Sequence, residues 1–360
     1  MNRAAERTDA IRPTTDKRIL TGLQGGRAVA AIMVAVFHAN VFLLPTNFYA
    51  GAGAGKIFNF GYAGVEFFFV LSGFIMVLVH RRDFGRPAQA GAFLRKRILR
   101  IYPIYWLVLG FVIAIYFMSP GRGPEHARDP SAILTSLLLW PTPEGPIMQV
   151  AWTLQHEMLF YLVFMLLIIN LRVGLVIFGL WMAACILALP RYSSIDFPAD
   201  FVLKPHNLLF VFGIAAAIAY GRFSVTQART SFWFGTVLFL GLGLGETVGG
   251  VTLPPAFLTL GYGLGATMAV IGLAGGNLPA PRWLALLGDA SYAIYLVHLP
   301  AMNILAVGLR AAGVHQFLPP LAMLVLITVL VTGIGVLVHL IVEKPVTASL
   351  GNRRQAKPAA

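Results

Sequence analysis

Apolar segments of about twenty residues recur from one end of this 360-residue chain to the other, and this pattern constrains its fold most. A helix of about twenty apolar residues is long enough to cross the hydrocarbon core of a bilayer. Hydrophobic residues make up 58% of the chain and charged residues only 11%, far from the composition of soluble domains. The sequence therefore predicts an all-α fold, a polytopic transmembrane helical bundle without a separate soluble domain. The ten predicted spans are 27–45, 61–80, 98–118, 149–171, 173–190, 204–221, 231–248, 253–275, 284–309 and 317–342.

The basic residues predict the topology of these spans. With ten spans and the N-terminus inside, 21 Lys and Arg residues lie on the inner side and 6 on the outer side. The segment 131–140 is either a re-entrant half-helix or a short span, and counting it as an eleventh span gives 16 against 11. The positive-inside rule therefore favours ten spans with both termini cytoplasmic. The predicted division is a cytoplasmic tail over 1–26, a transmembrane domain over 27–342 and a cytoplasmic tail over 343–360.

Several classes of function are disfavoured by composition and motifs. The net charge of +13 could indicate nucleic-acid binding, but bases at span ends orient a membrane protein, and no basic array interleaved with aromatics is present. The single cysteine, Cys185, allows no intrachain disulfide and no cysteine metal site. Since no HExxH motif or paired His/Cys spacing occurs either, no metal site is expected. The first eighteen residues lack a short apolar region, so a cleaved signal peptide is not expected.

The first span carries two polar residues, Arg27 and His38, which lie eleven positions apart. In a helix that spacing is about three turns, so both side chains share one face, roughly 16 Å apart along the axis. The spacing predicts a cation at the mouth of the bundle and an imidazole near the middle of the bilayer. The alternative is a snorkelling arginine and a histidine that bonds a neighbouring helix.

Basic residues crowd the entrance of the third span in the stretch FLRKRILRIYPIYWL. Arg97 and Arg100 are three residues apart, so they face the same way and can form a fork that binds phosphates. An orienting charge cluster in contact with anionic lipid headgroups is the alternative.

A carboxylate, Glu157, lies in the fourth span, which begins near Trp152. A carboxylate within a span is expected to face the bundle interior and to pair with arginine or histidine. His38 lies at a comparable depth, so an approach of Glu157 to His38 is geometrically allowed. A carboxylate beside an imidazole fixes its tautomer and raises its basicity.

Other polar side chains within the spans are candidates for supporting roles. Glu66 and Ser72 lie in the second span, and Tyr295 and His298 are three residues apart in the ninth. For Ser72 the alternative is a hydrogen bond to a backbone carbonyl, and for the ninth span it is hydrogen-bonded packing.

Six stretches resemble, in order, the family of membrane acyltransferases often called acyltransferase 3, which modifies bacterial surface glycans. They are LTGLQGGRAVAAIMVAVFH, GYAGVEFFFVLSGFIM, FLRKRILRIYPIYWL, VAWTLQHEMLFYL, LGDASYAIYLVH and the closing VEKP. The family's pattern of a basic residue, ten residues and a histidine matches Arg27 and His38. Its R-x-x-R pair matches Arg97 and Arg100.

The chain departs from the family's usual sequence at a few positions. Thr153 replaces the common serine after Trp152, Glu66 replaces the commoner aspartate, and Gln24 lies where an acidic residue is usual. These departures leave the matches at Arg27 and His38 intact.

The resemblance implies an O-acyltransferase, with residues 27–342 as the acyltransferase domain. Arg27, Arg97 and Arg100 would hold an acyl-CoA donor, most simply acetyl-CoA, that enters from the cytoplasm. His38 would either take the acyl group covalently or act as general base, with Glu157 orienting it. Acyl-CoA would be a co-substrate rather than a bound cofactor.

The acceptor implied by the resemblance is a hydroxyl of a cell-surface or lipid-linked glycan, such as an exopolysaccharide or a lipopolysaccharide. The location implied is a bacterial inner membrane, with membrane lipids as further partners. The rival hypothesis is a transporter or flippase of lipid-linked saccharides. That hypothesis predicts an inverted repeat, which the chain does not show.

Overall fold

The computed structural model describes residues 17–119, 121 and 123–352. The predicted tail residues 1–16 and 353–360, and Arg122, lie outside the described part. Within that part the regular elements are helices, and no strand occurs. The α-helices of eight residues or more are α1 (Lys17–His38), α2 (Gly64–His80), α3 (Ala90–Met118), α4 (Pro130–Leu138), α5 (Trp152–Ile169), α6 (Leu171–Ala188), α7 (Leu208–Ala219), α8 (Val225–Thr247), α9 (Pro255–Gly275), α10 (Arg282–Asp289), α11 (Ser291–Ala311), α12 (Pro320–Val338) and α13 (Lys344–Asn352).

The predicted fold class, a polytopic helical membrane bundle, is confirmed. Nine helices in the described part are long and apolar enough to cross a membrane. The remaining predicted span, 231–248, corresponds to α8, which has 23 residues but is not among these nine. Its glycines, threonines and terminal charged residues lower its hydropathy. The side of the membrane on which the termini lie stays a prediction.

The segment 131–140 forms the short helix α4, which begins after the N-capping side chain of Asp129. Nine residues of helix rise only about 13 Å, less than half of a hydrocarbon core. The last carbonyls of α4 face the middle of α3, and the length of α4 is that of a half-helix rather than of a complete span. Three aromatic side chains of α3 donate hydrogen bonds to those carbonyl oxygens. They run from Tyr102 to Leu138 at 2.9 Å, from Tyr105 to Ser136 at 2.7 Å and from Trp106 to Leu137 at 2.8 Å.

Helix α1 lies at the centre of the bundle and packs against α2, α9, α10 and α11. Its close contact with α2 depends on Gly64, because a Cβ at this position would collide with the carbonyl group of Ala30 in α1. On the other side of α2, Gly73 meets the backbone of α7 in the same way. Helix α2 is thereby held tightly between α1 and α7, which fixes the positions of its polar residues.

The continuous helical stretch that starts with α1 runs to Asn47, so it begins earlier and ends later than the predicted span 27–45. Residues 17–26 are helical, although the predicted tail includes them. After His38 the chain continues as a π-helical turn over Ala39–Leu43. Single π-helical turns within α-helices often occur at functional sites, and here the turn begins directly after the histidine. The predicted division into tails and one domain stays a prediction.

Candidate active site

A cavity of about 300 Å³ opens between α1, α2, α3, α5 and α11. Its lining includes Arg27, Arg97, Arg100 and Glu157, and we call it the basic cavity. The three arginines predicted to bind one ligand are therefore brought together, although they come from two separate helices. Arg100 is exposed, whereas Arg27 and Arg97 are half-buried.

The arginines of the basic cavity have no acidic partner. Within the described residues, none of the three lies within 4 Å of a carboxylate oxygen. The Nη2 atom of Arg97 lies 3.5 Å from His80 Nε2, and the guanidinium carbon of Arg97 lies 5.8 Å from the ring centroid of Tyr161. Its Nε is buried without a hydrogen-bond partner. Three unneutralised guanidinium groups around one cavity favour an anionic ligand there.

Glu157 lies in the basic cavity, and the predicted contact between Glu157 and His38 is wrong. Its Oε1 accepts a hydrogen bond of 3.0 Å from Ser72 Oγ and a short hydrogen bond from the Tyr161 hydroxyl. Glu157 lies five residues beyond Trp152 in α5, which places it about 7.5 Å further along the axis and about 140° around it. Trp152 consequently lines the cavity of His38, whereas Glu157 faces the arginines.

A second cavity, of about 230 Å³, contains His38. It is also lined by Glu66, Trp152 and His206, and we call it the imidazole cavity. The aromatic part of its wall also includes Phe37, Phe42 and Tyr62.

His38 is hydrogen-bonded through Nδ1, which lies 2.9 Å from the Val34 carbonyl oxygen and 3.2 Å from His298 Nε2. The Nδ1 atom of His298 lies 2.7 Å from the carbonyl oxygen of Tyr295. A carbonyl oxygen only accepts, so each Nδ1 carries a hydrogen and His298 Nε2 is the acceptor between the rings. This network assigns the hydrogen of neutral His38 to Nδ1 and leaves a lone pair on Nε2. No group in the described part bonds that nitrogen, so it is available to a ligand.

The two cavities share two lining residues, Val65 and Tyr295. The Tyr295 hydroxyl lies 3.0 Å from Thr153 Oγ1 and 3.2 Å from the Val150 carbonyl oxygen. Thr153, which departs from the family's common serine, therefore keeps a hydroxyl group at this position, and that hydroxyl contacts Tyr295. Val65 and Tyr295 therefore lie at the boundary between the two cavities.

The predicted supporting residues divide between the cavities. Ser72 lies with Glu157 in the basic cavity, Glu66 and Trp152 line the imidazole cavity, and Tyr295 borders both. His298 bonds His38 directly and takes the place that the sequence had predicted for Glu157.

Two residues without a predicted role take part in the site. His206 lines the imidazole cavity, and His80 contacts Arg97 while its own Nδ1 lies 2.8 Å from Asp83 Oδ2. The position of His206 just before α7, on the same predicted side of the membrane as Glu66, is a signal that could have identified it.

The amino-acid sequence is similar to one family model and to known proteins. The model of the acyltransferase 3 family, described as an acyltransferase domain, matches residues 20–340. The chain is 32% identical to the exopolysaccharide production protein ExoZ of Rhizobium meliloti (strain 1021), over 85% of this chain and 98% of that protein. It is 27% identical to the acyltransferase MdmB of Streptomyces mycarofaciens, over 94% of this chain and 95% of that protein. No solved structure matches the chain significantly.

Proposed function

The chain belongs to the acyltransferase 3 family, and on this premise we propose that it transfers an acyl group from acyl-CoA to a glycan hydroxyl. Membership makes it a multi-pass membrane acyltransferase that transfers groups other than aminoacyl groups. The proposal adds the donor, acyl-CoA with acetyl as the acyl group, and the acceptor, a cell-surface or lipid-linked glycan. The printed name of the ExoZ relative, an exopolysaccharide production protein, supports a glycan acceptor.

The charge of the basic cavity supports acyl-CoA as the donor. Coenzyme A carries a diphosphate and a further phosphate at one end and a slender neutral arm that ends in the thioester. The exposed Arg100 and the half-buried Arg97 can bind phosphates at the mouth of the cavity, with Arg27 beside them. A cavity of about 300 Å³ is small for a drug-sized ligand, so it suits the arm while the nucleotide stays at the mouth.

The boundary at Val65 and Tyr295 supports a thioester that reaches toward His38 from the basic cavity. Arg27 and His38 lie on one face of α1, eleven residues and about 16 Å apart along its axis. An extended arm can cover that distance. Glu157 adds one negative charge to the three positive charges of the basic cavity and is held there by Ser72 and Tyr161.

Two chemical routes use the free Nε2 of His38. In the direct route, Nε2 takes the proton of the acceptor hydroxyl as its oxygen attacks the thioester carbonyl carbon. The C–S bond breaks, and the departing thiolate receives that proton. In the covalent route, Nε2 attacks the carbonyl carbon and the thiolate leaves; the hydroxyl then attacks the acyl-imidazolium and its proton passes to the thiolate. Both routes give the O-acyl ester and the free thiol of CoA.

The basic residues support an orientation in a bacterial inner membrane with the basic cavity open to the cytoplasm, where acyl-CoA is made. The acceptor glycan would then reach the imidazole cavity from the other side. Both termini would be cytoplasmic in this arrangement.

One observation carries the proposal: three arginines without acidic partners among the described residues line one cavity, and a histidine whose Nε2 is free of those residues lines the adjoining one. The test compares surface polysaccharide from cells that lack the chain, cells that express it and cells that express His38→Ala at the same level. Mass spectrometry is expected to find ester-linked acyl groups only with the unaltered chain. Identical acylation in all three strains would contradict the proposal.

A further inference from the structure

We propose that Glu66 and His206 form the subsite that binds the sugar ring of the acceptor, beside His38 in the imidazole cavity. This inference rests on the proposed function, because it names the place where the acceptor of that reaction is held. It concerns two side chains of that cavity whose polar atoms lack partners within the described part of the protein.

Glu66 is a buried carboxylate without a hydrogen-bond donor. Its side chain is only 1% exposed, and Oε2 has no partner. The Oε1 atom lies 3.6 Å from His206 Nε2, which is beyond hydrogen-bond distance. The Nδ1 atom of His206 is also buried without a partner. Buried polar atoms in folded proteins are almost always paired, so the unpartnered Oε2 and Nδ1 atoms of two side chains that line one cavity indicate a site for a polar ligand.

Three other glutamates within the helices provide a contrast. Glu157 accepts hydrogen bonds from Ser72 and Tyr161, and Glu246 accepts from the hydroxyls of Tyr62 and Tyr262 at 2.9 and 2.8 Å. Glu343 lies 2.7 Å from His339 Nδ1. The described bundle thus satisfies these carboxylates internally, whereas Glu66 is left for a donor that arrives with the ligand.

The cavity around Glu66 suits a neutral polyhydroxylated ring. Sugar hydroxyls donate to a carboxylate and also exchange hydrogen bonds with an imidazole, so one ring can satisfy both side chains. The aromatic wall of Phe37, Phe42, Tyr62 and Trp152 is suited to the apolar C–H face of a sugar. At about 230 Å³ the cavity lies below the usual range for drug-sized ligands, which favours one ring rather than an oligosaccharide.

The charge of Glu66 also separates this subsite from the donor. A carboxylate repels phosphate groups, and no arginine lines the imidazole cavity. The phosphates of acyl-CoA are therefore kept at the basic cavity. A sugar hydroxyl held by Glu66 lies in the cavity that His38 lines, where Nε2 can take its proton.

The test uses the full-length purified protein, labelled acetyl-CoA as donor, and the repeat-unit oligosaccharide released from polysaccharide of cells that lack the chain as acceptor. Glu66→Gln removes the charge with little change in shape, and Glu66→Asp keeps the carboxylate. Glu343→Gln is the matched control, since it alters a buried carboxylate that already has an internal partner, His339, and lines neither cavity. Coenzyme A binding is measured by calorimetry on every variant, which also verifies that the variant is folded.

We expect Glu66→Gln to raise the KM for the oligosaccharide about tenfold or more, because hydrogen bonds to charged groups contribute about 1.5–3 kcal/mol. Affinity for coenzyme A is expected to stay within about twofold, and Glu66→Asp is expected to give an intermediate KM. Glu343→Gln is expected to leave the acceptor KM unchanged. A Glu66→Gln protein with unchanged acceptor KM, or with weakened coenzyme A binding, overturns the subsite alone. Absence of transfer by the unaltered protein overturns the proposed function, and the subsite with it.

Discussion

The basic cavity and the imidazole cavity adjoin each other in the same bundle, yet their side chains are organised in opposite ways. The basic cavity concentrates three cations and gives its carboxylate, Glu157, two internal donors. The imidazole cavity contains a histidine whose tautomer is fixed by the Val34 carbonyl oxygen and His298, and its carboxylate, Glu66, has no donor among the described residues. The basic cavity thus has an excess of positive charge, and the imidazole cavity has a carboxylate that can accept further hydrogen bonds.

This difference suggests a division of labour along α1. The unpaired arginines can bind an anionic ligand tightly without reacting with it. A neutral imidazole with a free nitrogen contributes proton transfer or nucleophilic attack. The division predicts that substitutions in the basic cavity change donor affinity, whereas substitutions in the imidazole cavity change turnover or the acceptor KM.

The largest effect is expected from His38→Gln, which removes the free nitrogen of the imidazole cavity. Turnover of acetyl-CoA with the glycan acceptor should fall about 10³-fold, because general acid–base catalysis contributes about 10²–10⁴-fold. The dissociation constant of coenzyme A should change less than twofold. Turnover is measured by release of the CoA thiol, and binding by calorimetry. Retention of a tenth or more of the original turnover would remove His38 from the reaction.

The next effect is expected in the basic cavity from the double variant Arg97→Gln, Arg100→Gln. Coenzyme A affinity should weaken about 100-fold, because each charge-assisted hydrogen bond contributes about 1.5–3 kcal/mol and the two are not fully additive. Acceptor KM should stay the same. Arg95→Gln is the control, since this exposed arginine of the same helix does not line the cavity. Equal losses in control and double variant would indicate general attraction of the anion rather than a specific site.

A smaller effect is expected from His298→Phe, which removes the acceptor that faces His38 Nδ1. The kcat should fall about tenfold with an unchanged KM for acetyl-CoA, because His298 positions the ring and does not touch the donor. His298→Gln should restore part of kcat, since its amide oxygen can accept from the same N–H. His315→Gln is the control, as this histidine lies in a turn away from both cavities. A phenylalanine variant as active as the glutamine variant would exclude the positioning role.

The smallest effect is expected from Tyr295→Phe at the boundary of the two cavities. Loss of its hydroxyl removes contacts with Thr153 and the Val150 carbonyl oxygen but leaves the ring in place. One hydrogen bond of this kind contributes about 0.5–1.5 kcal/mol, so kcat/KM should fall about two- to tenfold. A larger loss, measured in the same thiol assay, would give the hydroxyl a part in the chemistry.

Much of this arrangement could be predicted from the sequence, because it depends on properties of single helices. Hydropathy identifies the spans, and helical periodicity places Arg27 and His38 on one face of α1 and Arg97 near Arg100 on α3. The short helix α4 was also open to prediction, since ten residues cannot cross a bilayer. These inferences need no knowledge of how one helix is rotated against another.

The errors concern relations between helices. Glu157 was expected at His38 because their depths agreed, but depth does not fix the rotation of α5, which directs Trp152 and Glu157 to different cavities. His298 could be identified as polar but not as the partner of His38. His206 lies in a turn outside the regular helix pattern, and its position depends on the loop before α7.

The most direct test of the division between the two cavities is an experimental structure of the full-length protein with a non-hydrolysable acetyl-CoA analogue. We expect the phosphates to lie at Arg97 and Arg100 and the arm to pass Val65 and Tyr295. The carbonyl carbon is expected about 3–3.5 Å from His38 Nε2. An analogue whose phosphates lie away from the basic cavity, or whose acyl group stays beside Glu157 and never reaches His38, would contradict it.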